Sequence, residues 1–385
     1  MDFDYVVAPS LILLVAILIS WLGIRRIRVL RTKGYRTWRR ITERVVISLV
    51  VLMAVAAGAS TTFNALAIHH YWATNPLPGK FYDVGGYKMH IYCTGQGSPT
   101  LVLDAGLGND WTVWGAVQPQ LSKTTRVCSY DRAGFGGSSA RPGPRDAEHI
   151  AGELHELLTQ AGITGPIILM AHSIAGVYIR DYAARYPREI AGLIFVDSST
   201  PLQNERPAFK AIDPGGVRQA AEFLLERASL ILGVPRLMGQ CSRVPPGVPP
   251  VWGGRAGERL AEDLCSLHVA AAEAEMRNFT QSSREAIRAG LFGNLPILIF
   301  SHDPDMPLPP QIPAKLGKRL AAAWTQMQNK LKSLSTRSRR IIAKGSGHMI
   351  PIERPDLLNK EVPIFVQQVR GTIPQPTDYG STKTE

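Results

Sequence analysis

Two long apolar runs near the N-terminus limit what this chain can fold into. Val6–Ile24 contains 19 residues without a charge, and Val45–Ile68 contains 24. A helix needs about 20 apolar residues to cross the hydrocarbon core of a bilayer, so each run predicts a membrane-spanning helix. Two buried core helices are the alternative, but such helices seldom extend this far without a charge. The sequence therefore predicts a membrane hairpin within residues 1–75, with spans at 6–24 and 45–68.

Positive charge is concentrated between these two runs. The 385-residue chain has a net charge of +12, and residues 25–40 contribute eight basic side chains and no acidic one. The remainder carries only +4 (+12 − 8), which argues against a nucleic-acid-binding protein. Because Lys and Arg keep short loops in the cytoplasm, we expect the loop 25–44 inside and everything after residue 68 outside, held in the cell membrane by two spans. Ala65-Leu66-Ala67 also resembles a signal-peptide cleavage site; cleavage would release the remaining chain but still leave it outside.

Four cysteines fit that location. Cys93, Cys128, Cys241 and Cys265 lie in the part of the chain that is predicted to be outside the cytoplasm, where disulfides persist. Their spacing matches no zinc-binding pattern and includes no CxxC, so we expect neither a metal nor a cofactor. Four cysteines allow three pairings, and the sequence leaves the pairing open.

From residue 80 onward, short apolar segments alternate with amphipathic ones. The predicted strands are Lys88–Cys93, Thr100–Asp104, Arg126–Tyr130, Pro166–Ala171, Ala191–Val196, Pro296–Ser301 and Arg340–Ala343. The predicted helices are Ala147–Ala161, Ile174–Tyr186, Ala314–Leu334 and one that begins near Pro355. This alternation predicts an α/β protein with a mostly parallel sheet and helices on both faces. The first strands, up to about Asp104, are joined by glycine-rich turns and predict an antiparallel start.

A long insertion interrupts the alternation. Residues 201–290 are helix-prone around a Pro- and Gly-rich centre, Val244–Gly254. Long insertions are usually functional, so we interpret this one as a helical cap over a site; a surface excursion is the alternative. The predicted core then consists of residues 76–200 and 291–371, and the polar tail 372–385 is predicted to be disordered.

Ser173 has the surroundings of a nucleophile. It follows an apolar strand and precedes a helix, within Ala171-His172-Ser173-Ile174-Ala175-Gly176. A serine on such a sharp turn is lifted from the edge of the sheet, and only small flanking residues fit the bend. The usual pattern is G-x-S-x-G, and Ala171 and Ala175 take its glycine positions here. A serine that caps a helix is the alternative interpretation.

An acid and a base follow later in the chain. Asp303 and Asp305 lie in a turn after the strand Pro296–Ser301, and His348 lies in a loop after the strand that ends at Ala343. Serine is a weak nucleophile unless a base takes its proton, and the base needs a carboxylate to fix its tautomer. Serine, acid and histidine, each after a strand and in this order, predict a catalytic triad.

From about Gly79 to Gly371 the chain resembles the α/β-hydrolase fold family, in particular a bacterial membrane-anchored subgroup. Besides the order of the triad, the resemblance rests on Val-Gly-Gly-Tyr at 84–87, His-Ile-Tyr-Cys-Thr-Gly at 90–95, Tyr-Asp-Arg-Ala-Gly at 130–134 and Gly-His at 347–348. It implies Ser173 as the nucleophile, His348 as the base and Asp305 as the acid.

The acid of the predicted triad has two alternatives to Asp305. Asp305 stands at the end of a strand-Gly-x-x-Asp pattern that the family shows, although His302 occupies the usual position of the glycine. Asp303 is the near alternative, and Asp197, which follows another strand, is the distant one.

The resemblance also implies an oxyanion hole made of backbone N–H groups. Ile174, directly after the nucleophile, would supply one donor, and Leu107 the other. Gly106 and His172 are expected to line the substrate site. Ala105 stands where the family usually has His, but a backbone donor does not depend on that side chain.

Three further groups have both a functional and a structural interpretation. Glu273 and Glu275 in the cap could bind a substrate amine, as cap acids do in related aminopeptidases, or belong to a solvated helix face. The glycines of Tyr130–Gly136 do not follow the dinucleotide-binding pattern, so we interpret this segment as a structural turn. Basic residues between 330 and 340 could contact anionic lipid or end a solvated helix.

Together these features predict a membrane-anchored, extracytoplasmic serine hydrolase without a cofactor. Its expected partners are membrane lipid and an acyl substrate, most simply a lipid-like carboxylic ester, because an apolar cap near a bilayer suits acyl groups. An aminopeptidase-like amidase and a cofactor-free haloperoxidase-like enzyme on the same triad are alternatives. A catalytically retired, membrane-tethered binding protein is the non-enzyme alternative, and its only support is alanine at 105, 171 and 175. The oligomeric state stays open.

Overall fold

The computed structural model describes residues 7–32, 38–212, 216–243, 255–263, 265, 269–307 and 312–385. The chain divides into two units. The helical unit comprises Met1–Leu77, Leu224–Arg243 and Cys265–Leu267, and the sheet unit comprises Pro78–Phe223, Val244–Leu264 and His268–Glu385. The predicted insertion 201–290 therefore forms no unit of its own, and its Pro- and Gly-rich centre, 244–254, lies outside the described residues.

Apolar, β-branched segments of the sheet unit form a single sheet. Its strands are β1 (Lys80–Asp83), β2 (Lys88–Thr94), β3 (Thr100–Asp104), β4 (Val127–Tyr130), β5 (Ile167–His172), β6 (Ile190–Val196), β7 (Ile297–His302), β8 (Ser338–Ala343) and β9 (Thr382–Thr384). Their spatial order is β1-β2-β4-β3-β5-β6-β7-β8-β9. β2 pairs antiparallel with β1 and β4, and all other pairs are parallel. The predicted α/β architecture with a mostly parallel sheet is confirmed.

Helices precede the sheet and cover both of its faces. They are α1 (Ala8–Thr32), α2 (Trp38–Thr74), α3 (Gln118–Leu121), α4 (Ala147–Gln160), α5 (Ala175–Arg185), α6 (Pro207–Lys210), α7 (Gly216–Ile231), α8 (Val234–Leu237), α9 (Arg255–Asp263), α10 (Val269–Arg277), α11 (Phe279–Arg288), α12 (Ala314–Leu331), α13 (Ile350–Glu353) and α14 (Pro355–Arg370). Side chains of β5 alternate between two buried clusters. Leu169 packs in the cluster that includes Ile150 of α4, and Met170 in the cluster that includes Phe365 of α14. A parallel sheet covered in this way has buried strands, which explains their continuous apolar sequences.

Two predictions about the margins of the sheet are wrong. The sequence places β3 in an antiparallel start, but β3 lies between β4 and β5 and runs parallel to both. The sequence also predicts a disordered tail, whereas Thr382–Thr384 forms β9 beside β8. Polar residues are tolerated in this strand because a strand at the edge of a sheet exposes its side chains to water.

The first two helices are each long and apolar enough to cross a bilayer. They pack closely, because Gly58 of α2 faces Ala16 of α1: a Cβ on Gly58 would lie 3.1 Å from the Ala16 Cβ. Both helices extend beyond the predicted spans. Most of the predicted basic loop is therefore helical, and only its residues 33–37 lie outside the described part.

The four cysteines form two disulfides, each within one unit. Cys93 of β2 is bonded to Cys128, its register partner on β4. Cys241 is bonded to Cys265 in the helical unit. Each bridge restricts the unfolded chain and so stabilises its own unit.

The start of α5 approaches the chain after β6 so closely that only glycine fits at one position. A Cβ on Gly176 would lie 2.4 Å from the Cβ of the buried Ser198. We expect Gly176→Ala to lower the free energy of unfolding by about 1–3 kcal/mol, because the added methyl group overpacks this contact. The matched control is Gly152→Ala in α4, where a Cβ would meet no atom within 4 Å. Since alanine favours a helix, this control should be neutral or stabilising by up to about 1 kcal/mol. Chemical denaturation of the full chain in detergent measures both, and equal effects would contradict the packing argument.

Candidate active site

Ser173 lies on the sharp turn between β5 and α5. Its φ is 55°, in the left-handed region that residues other than glycine rarely adopt. Two backbone hydrogen bonds fix the turn: the Ser173 N–H donates to the Val196 carbonyl (3.2 Å), and the Ser173 carbonyl accepts from the Ser199 N–H (2.8 Å). The turn therefore presents the Ser173 hydroxyl at the carboxyl end of the strand.

His348 lies beside Ser173 in the loop that follows β8. Its Nε2 is 2.9 Å from the Ser173 Oγ, so the serine hydroxyl can donate to it. The Nε2–H of His172 donates to the His348 carbonyl at 2.9 Å. The Glu353 carboxylate fixes the loop by accepting from the Gly347 N–H at 2.5 Å. The serine and the histidine that the sequence pairs are thus brought together.

The carboxylate on His348 belongs to Asp197 and not to Asp305, so the sequence assignment is corrected. The Nδ1–H of His348 donates to Asp197 Oδ2 at 2.6 Å. Asp197 follows β6 directly, is completely buried and has a φ of 43°. Because β6 and β7 are neighbours in the sheet, an acid at the end of either strand lies at the same edge. Asp197, the distant alternative in the sequence analysis, is therefore the acid that contacts His348.

The two acids after β7 have other partners. The Asp305 carboxylate is 79% exposed and lies 2.9 Å from the Lys344 Nζ. Asp303 is buried and accepts hydrogen bonds from the N–H groups of Asp305 (3.1 Å) and Gly345 (3.0 Å). These contacts shape the loop that leads to His348. They occupy both carboxylates away from its ring.

Among the described residues, three side chains donate hydrogen bonds to Asp197. Besides His348, the Trp324 Nε1–H donates to its Oδ1 at 2.9 Å, and the His302 Nδ1–H lies 2.9 Å from Oδ2 and 3.0 Å from Oδ1. The backbone N–H of His302 also donates to Oδ1 at 3.0 Å. Burial alone would raise the pKa of Asp197, but the hydrogen bonds from His302 and His348 hold that pKa well below its usual range. The carboxylate is therefore charged at neutral pH.

His302 and Trp324 are site residues that the sequence analysis misses. Burial would lower the pKa of His302, but its hydrogen bond to Asp197 and the charge of that carboxylate raise the pKa above the ordinary value. The charges of Arg340 and Asp303 act on it in opposite directions. The Trp324 ring also meets the His348 ring edge-on, with centroids 5.6 Å apart. The absent glycine at 302 is the one sequence signal that points here.

The loop after β3 packs against the nucleophile. A Cβ on Gly106 would lie 2.8 Å from the His172 Nδ1 and 3.2 Å from the Ser173 Cβ, so only glycine fits there. Within the described part of the chain, the backbone N–H groups of Leu107 and Ile174 have no hydrogen-bond acceptor. Both N–H groups can therefore donate to a substrate oxygen.

His172 is buried and neutral. Its burial, and secondly the neighbouring charge of His348, lower the pKa of His172 to about 3. Since its Nε2–H donates to the His348 carbonyl, Nδ1 carries the lone pair, and this atom has no partner among the described residues. The ring therefore supports the loop of His348.

A buried ionic cluster joins the loop after β3 to α10. Arg132 donates to both carboxylate oxygens of Glu275 (2.8 and 2.9 Å) and to the Gly106 carbonyl (3.0 Å). Glu275 is completely buried and paired, so both interpretations made from the sequence, binding of a substrate amine and a solvated helix face, are wrong for this residue. Glu273 pairs with Arg277 on its own helix at 3.5 Å.

Comparison with known proteins matches residues 101–361 to the model of the Alpha/beta hydrolase family. The AB hydrolase superfamily protein of Gibberella zeae is 25% identical over 71% of this chain and 87% of its own length. The human (Lyso)-N-acylphosphatidylethanolamine lipase is 31% identical over 32% of this chain and 37% of its own. The chain spans 16–57% of the length of three other curated relatives, among them YbdG of Bacillus subtilis, which is 28% identical over 48% of this chain.

Solved structures share the fold. Cfl2 from Burkholderia cenocepacia has a TM-score of 0.57 and is 23% identical, with coverage of 74% of this chain and 95% of its own. A thermophilic esterase from Thermogutta terrifontis has a TM-score of 0.52 and is 21% identical, with coverage of 76% and 98%. At these identities the likeness concerns the fold alone.

The position of the acid can be tested with a matched pair of variants. We expect Asp197→Asn to slow the reaction of the protein with a fluorophosphonate by about 10²–10⁴-fold, because an amide neither fixes the tautomer of His348 nor stabilises its charge. Asp305→Asn should react within about twofold of the wild type, since it loses only an exposed ion pair. The rate constant of labelling in membranes measures both. The opposite ranking would restore the assignment made from the sequence.

The His302–Asp197 contact predicts a specific dependence of stability on pH. Because the folded-state pKa of His302 is raised, its charge stabilises the fold fully below the unfolded pKa, about 6.5, and this contribution is lost as the pH rises through the folded pKa. His302→Asn keeps a neutral N–H donor but removes the charge. We therefore expect the wild type to have a higher denaturation midpoint than this variant. The difference should be largest at about pH 5.5 and smallest at about pH 9. A gap that is constant or widens with pH would refute the charged pairing.

Proposed function

The chain belongs to the alpha/beta hydrolase family, and we propose that it is a membrane-anchored serine hydrolase that cleaves a carboxylic ester through an acyl-enzyme intermediate. One observation carries the proposal. The Ser173 Oγ, the His348 ring and the Asp197 carboxylate form a continuous chain of hydrogen bonds, 2.9 and 2.6 Å long. A weak nucleophile beside a base that a third group orients is the arrangement that acyl transfer requires.

The proposed reaction has two halves. The Ser173 Oγ attacks the ester carbonyl carbon while Nε2 of His348 takes the hydroxyl proton, and the Asp197 charge stabilises the resulting imidazolium. His348 then donates this proton to the departing alkoxide, which leaves as the alcohol. In the second half, His348 takes a proton from water, whose oxygen attacks the acyl-enzyme. Collapse of the second tetrahedral intermediate releases the carboxylic acid and regenerates the Ser173 hydroxyl.

The N–H groups of Leu107 and Ile174 are the proposed oxyanion donors. The negative charge that develops on the carbonyl oxygen needs donors that are already oriented, and loss of one such donor costs about 10²–10³-fold in rate. Two features support preorganisation here: Gly106 lets the loop approach Ser173, and Arg132 donates to the carbonyls of Ala105 (2.5 Å) and Gly106 (3.0 Å).

An ester substrate is favoured over an amide by two observations. The human relative is named as a lipase of (lyso)-N-acylphosphatidylethanolamine. In addition, the pairing of Glu275 with Arg132 removes the acid that the sequence analysis considers for recognition of an amine. We therefore propose an acyl ester, lipid-like rather than peptide-like, as the substrate class.

Anchoring of the enzyme outside the cytoplasm is supported by charge and by cysteine pairing. Helices α1 and α2, of 25 and 37 residues, can each cross a bilayer, and the basic residues concentrate near their connection. Positive charge keeps such a connection in the cytoplasm, so both outer ends would lie on the opposite side. Both disulfides are compatible with that oxidising side.

The proposed activity is tested with two substrates and one variant. Membranes that carry the wild type should hydrolyse a medium-chain acyl ester faster than an aminoacyl anilide, and Ser173→Ala should lower the ester rate by about three orders of magnitude or more. Gly152→Ala serves as the control for expression. Preferred cleavage of the anilide would favour an amidase instead. No Ser173-dependent activity on either substrate, in a folded protein, would favour a retired fold.

A further inference from the structure

Helix α2 carries a polar cluster inside its long apolar run. Its members are Ser60, Thr61 and Asn64. The groups that they contact lie 166–172 residues later in the sequence. Thr61 donates to the carbonyl of Ile231 (2.9 Å) and Asn64 to that of Leu230 (2.8 Å). Ser60 donates to the next carbonyl, that of Leu232, at 2.5 Å. Each polar side chain thus meets the carboxyl end of α7.

These contacts satisfy a requirement that an apolar environment imposes. The last carbonyls of a helix have no partner within it, and in hydrocarbon an unpaired carbonyl costs several kcal/mol. Here the Leu230 carbonyl also accepts from the Gly233 N–H (3.0 Å), and the side chains of Thr61 and Ser60 serve the carbonyls of Ile231 and Leu232. Thr61 and Asn64 are 0% and 2% exposed, so their bonds exclude water. The backbones also approach closely, since a Cβ on Gly233 would lie 2.7 Å from the Asn64 Cβ. The end of α7 is therefore built to lie against α2.

The position of the contact along α2 defines a depth. The uncharged run ends at Ile68, and Asn64 and Ser60 precede it by four and eight residues. At 1.5 Å per residue, the end of α7 meets α2 about 6–12 Å inside the run. Aqueous surroundings are not expected at that depth of a membrane-spanning helix.

The same segment exposes apolar side chains. Leu224 and Leu225 on α7 are 67% and 70% exposed, and Leu237 and Met238 at the end of α8 are 64% and 60% exposed. On α7, Leu224 continues a stripe with Val217 at helical spacing, and Leu225 lies at the border between this stripe and the adjacent charged face. The residues of that charged face are Arg218, Glu222 and Glu226. A helix with a separate apolar face and charged face is suited to the boundary between lipid and water.

We propose that the segment Leu224–Met238 is immersed in the lipid bilayer beside α2, with the charged face of α7 toward water. The inference rests on the membrane anchoring proposed above. Lipid is the occupant because the exposed leucines lie in the same unit as α2, on which Phe63 and Leu66 are likewise 54% and 64% exposed, and because the end of α7 is bonded to the residues between Ser60 and Asn64. The apolar surface of the span thus continues onto a segment that comes from the insertion between β6 and β7. A third membrane contact, besides the two spans, follows from this placement.

Nitroxide labels on the full chain in phosphatidylcholine vesicles test the depth. All four native cysteines are in disulfides, so Leu225→Cys and Leu237→Cys introduce single reactive thiols. We expect collisions with oxygen, which partitions into lipid, to exceed those with a water-soluble nickel complex at both positions. Glu222→Cys, on the charged face of the same helix, is the matched control and should show the reverse. Met238→Cys replaces any variant that fails to fold.

A label at Leu52, in the middle of the α2 run, separates this inference from the anchoring on which it rests. If Leu52 contacts oxygen but Leu225 and Leu237 contact the nickel complex, the segment lies in water and the inference is overturned while the span remains. If both reagents are excluded from Leu225 and Leu237, a protein surface such as a second copy covers them, and the inference is again overturned. If Leu52 itself contacts the nickel complex, the anchoring fails together with the inference.

Discussion

The carboxylate of Asp197 is completely buried yet charged, and the geometry of the site follows from how that charge is satisfied. An isolated charge in this position would be strongly disfavoured, so three side-chain donors converge on it from separate elements. His348 comes from the loop after β8, His302 from the end of β7, and Trp324 from α12. The same contacts that stabilise the carboxylate therefore fix the ring of His348 against Ser173. Loss of the charge would therefore weaken all three contacts together.

The sheet explains why this carboxylate can stand after β6. The ends of β5, β6, β7 and β8 lie side by side at one edge, because these strands are parallel neighbours. Ser173, Asp197 and His348 follow β5, β6 and β8, and each is held at that edge by short backbone connections. The end of β7 contributes His302, which donates to the acid instead of supplying it. The insertion that follows β6 is divided between the two units, and Glu275 in its later part is bonded to the loop beside Ser173 through Arg132.

The alternation of strands and helices, the turn at Ser173 and the loop at His348 could all be predicted because each depends on local patterns: apolar runs, small residues at a bend and the order of chemical groups along the chain. The acid depends on which strands are neighbours in space, and a spacing rule applied to a single strand selects Asp305 instead. Trp324 had no local signal, since one tryptophan in an amphipathic helix usually packs in a core. The strand at Thr382–Thr384 was missed because polar composition does not exclude pairing at the edge of a sheet. The polar residues within the apolar run of α2 are explained only by their hydrogen bonds to residues about 170 positions away in the sequence.

If His348 and Asp197 activate Ser173, a reagent that modifies activated serines should react at that residue. The full chain is treated with a fluorophosphonate, digested with trypsin and analysed by mass spectrometry. The tryptic peptide 146–180 contains Ser173 as its only serine, so an adduct can be assigned there. We expect one phosphonyl group per chain on this peptide, at Ser173. A folded protein that carries no adduct, or carries it on another peptide, would refute the activation of Ser173 by His348 and Asp197.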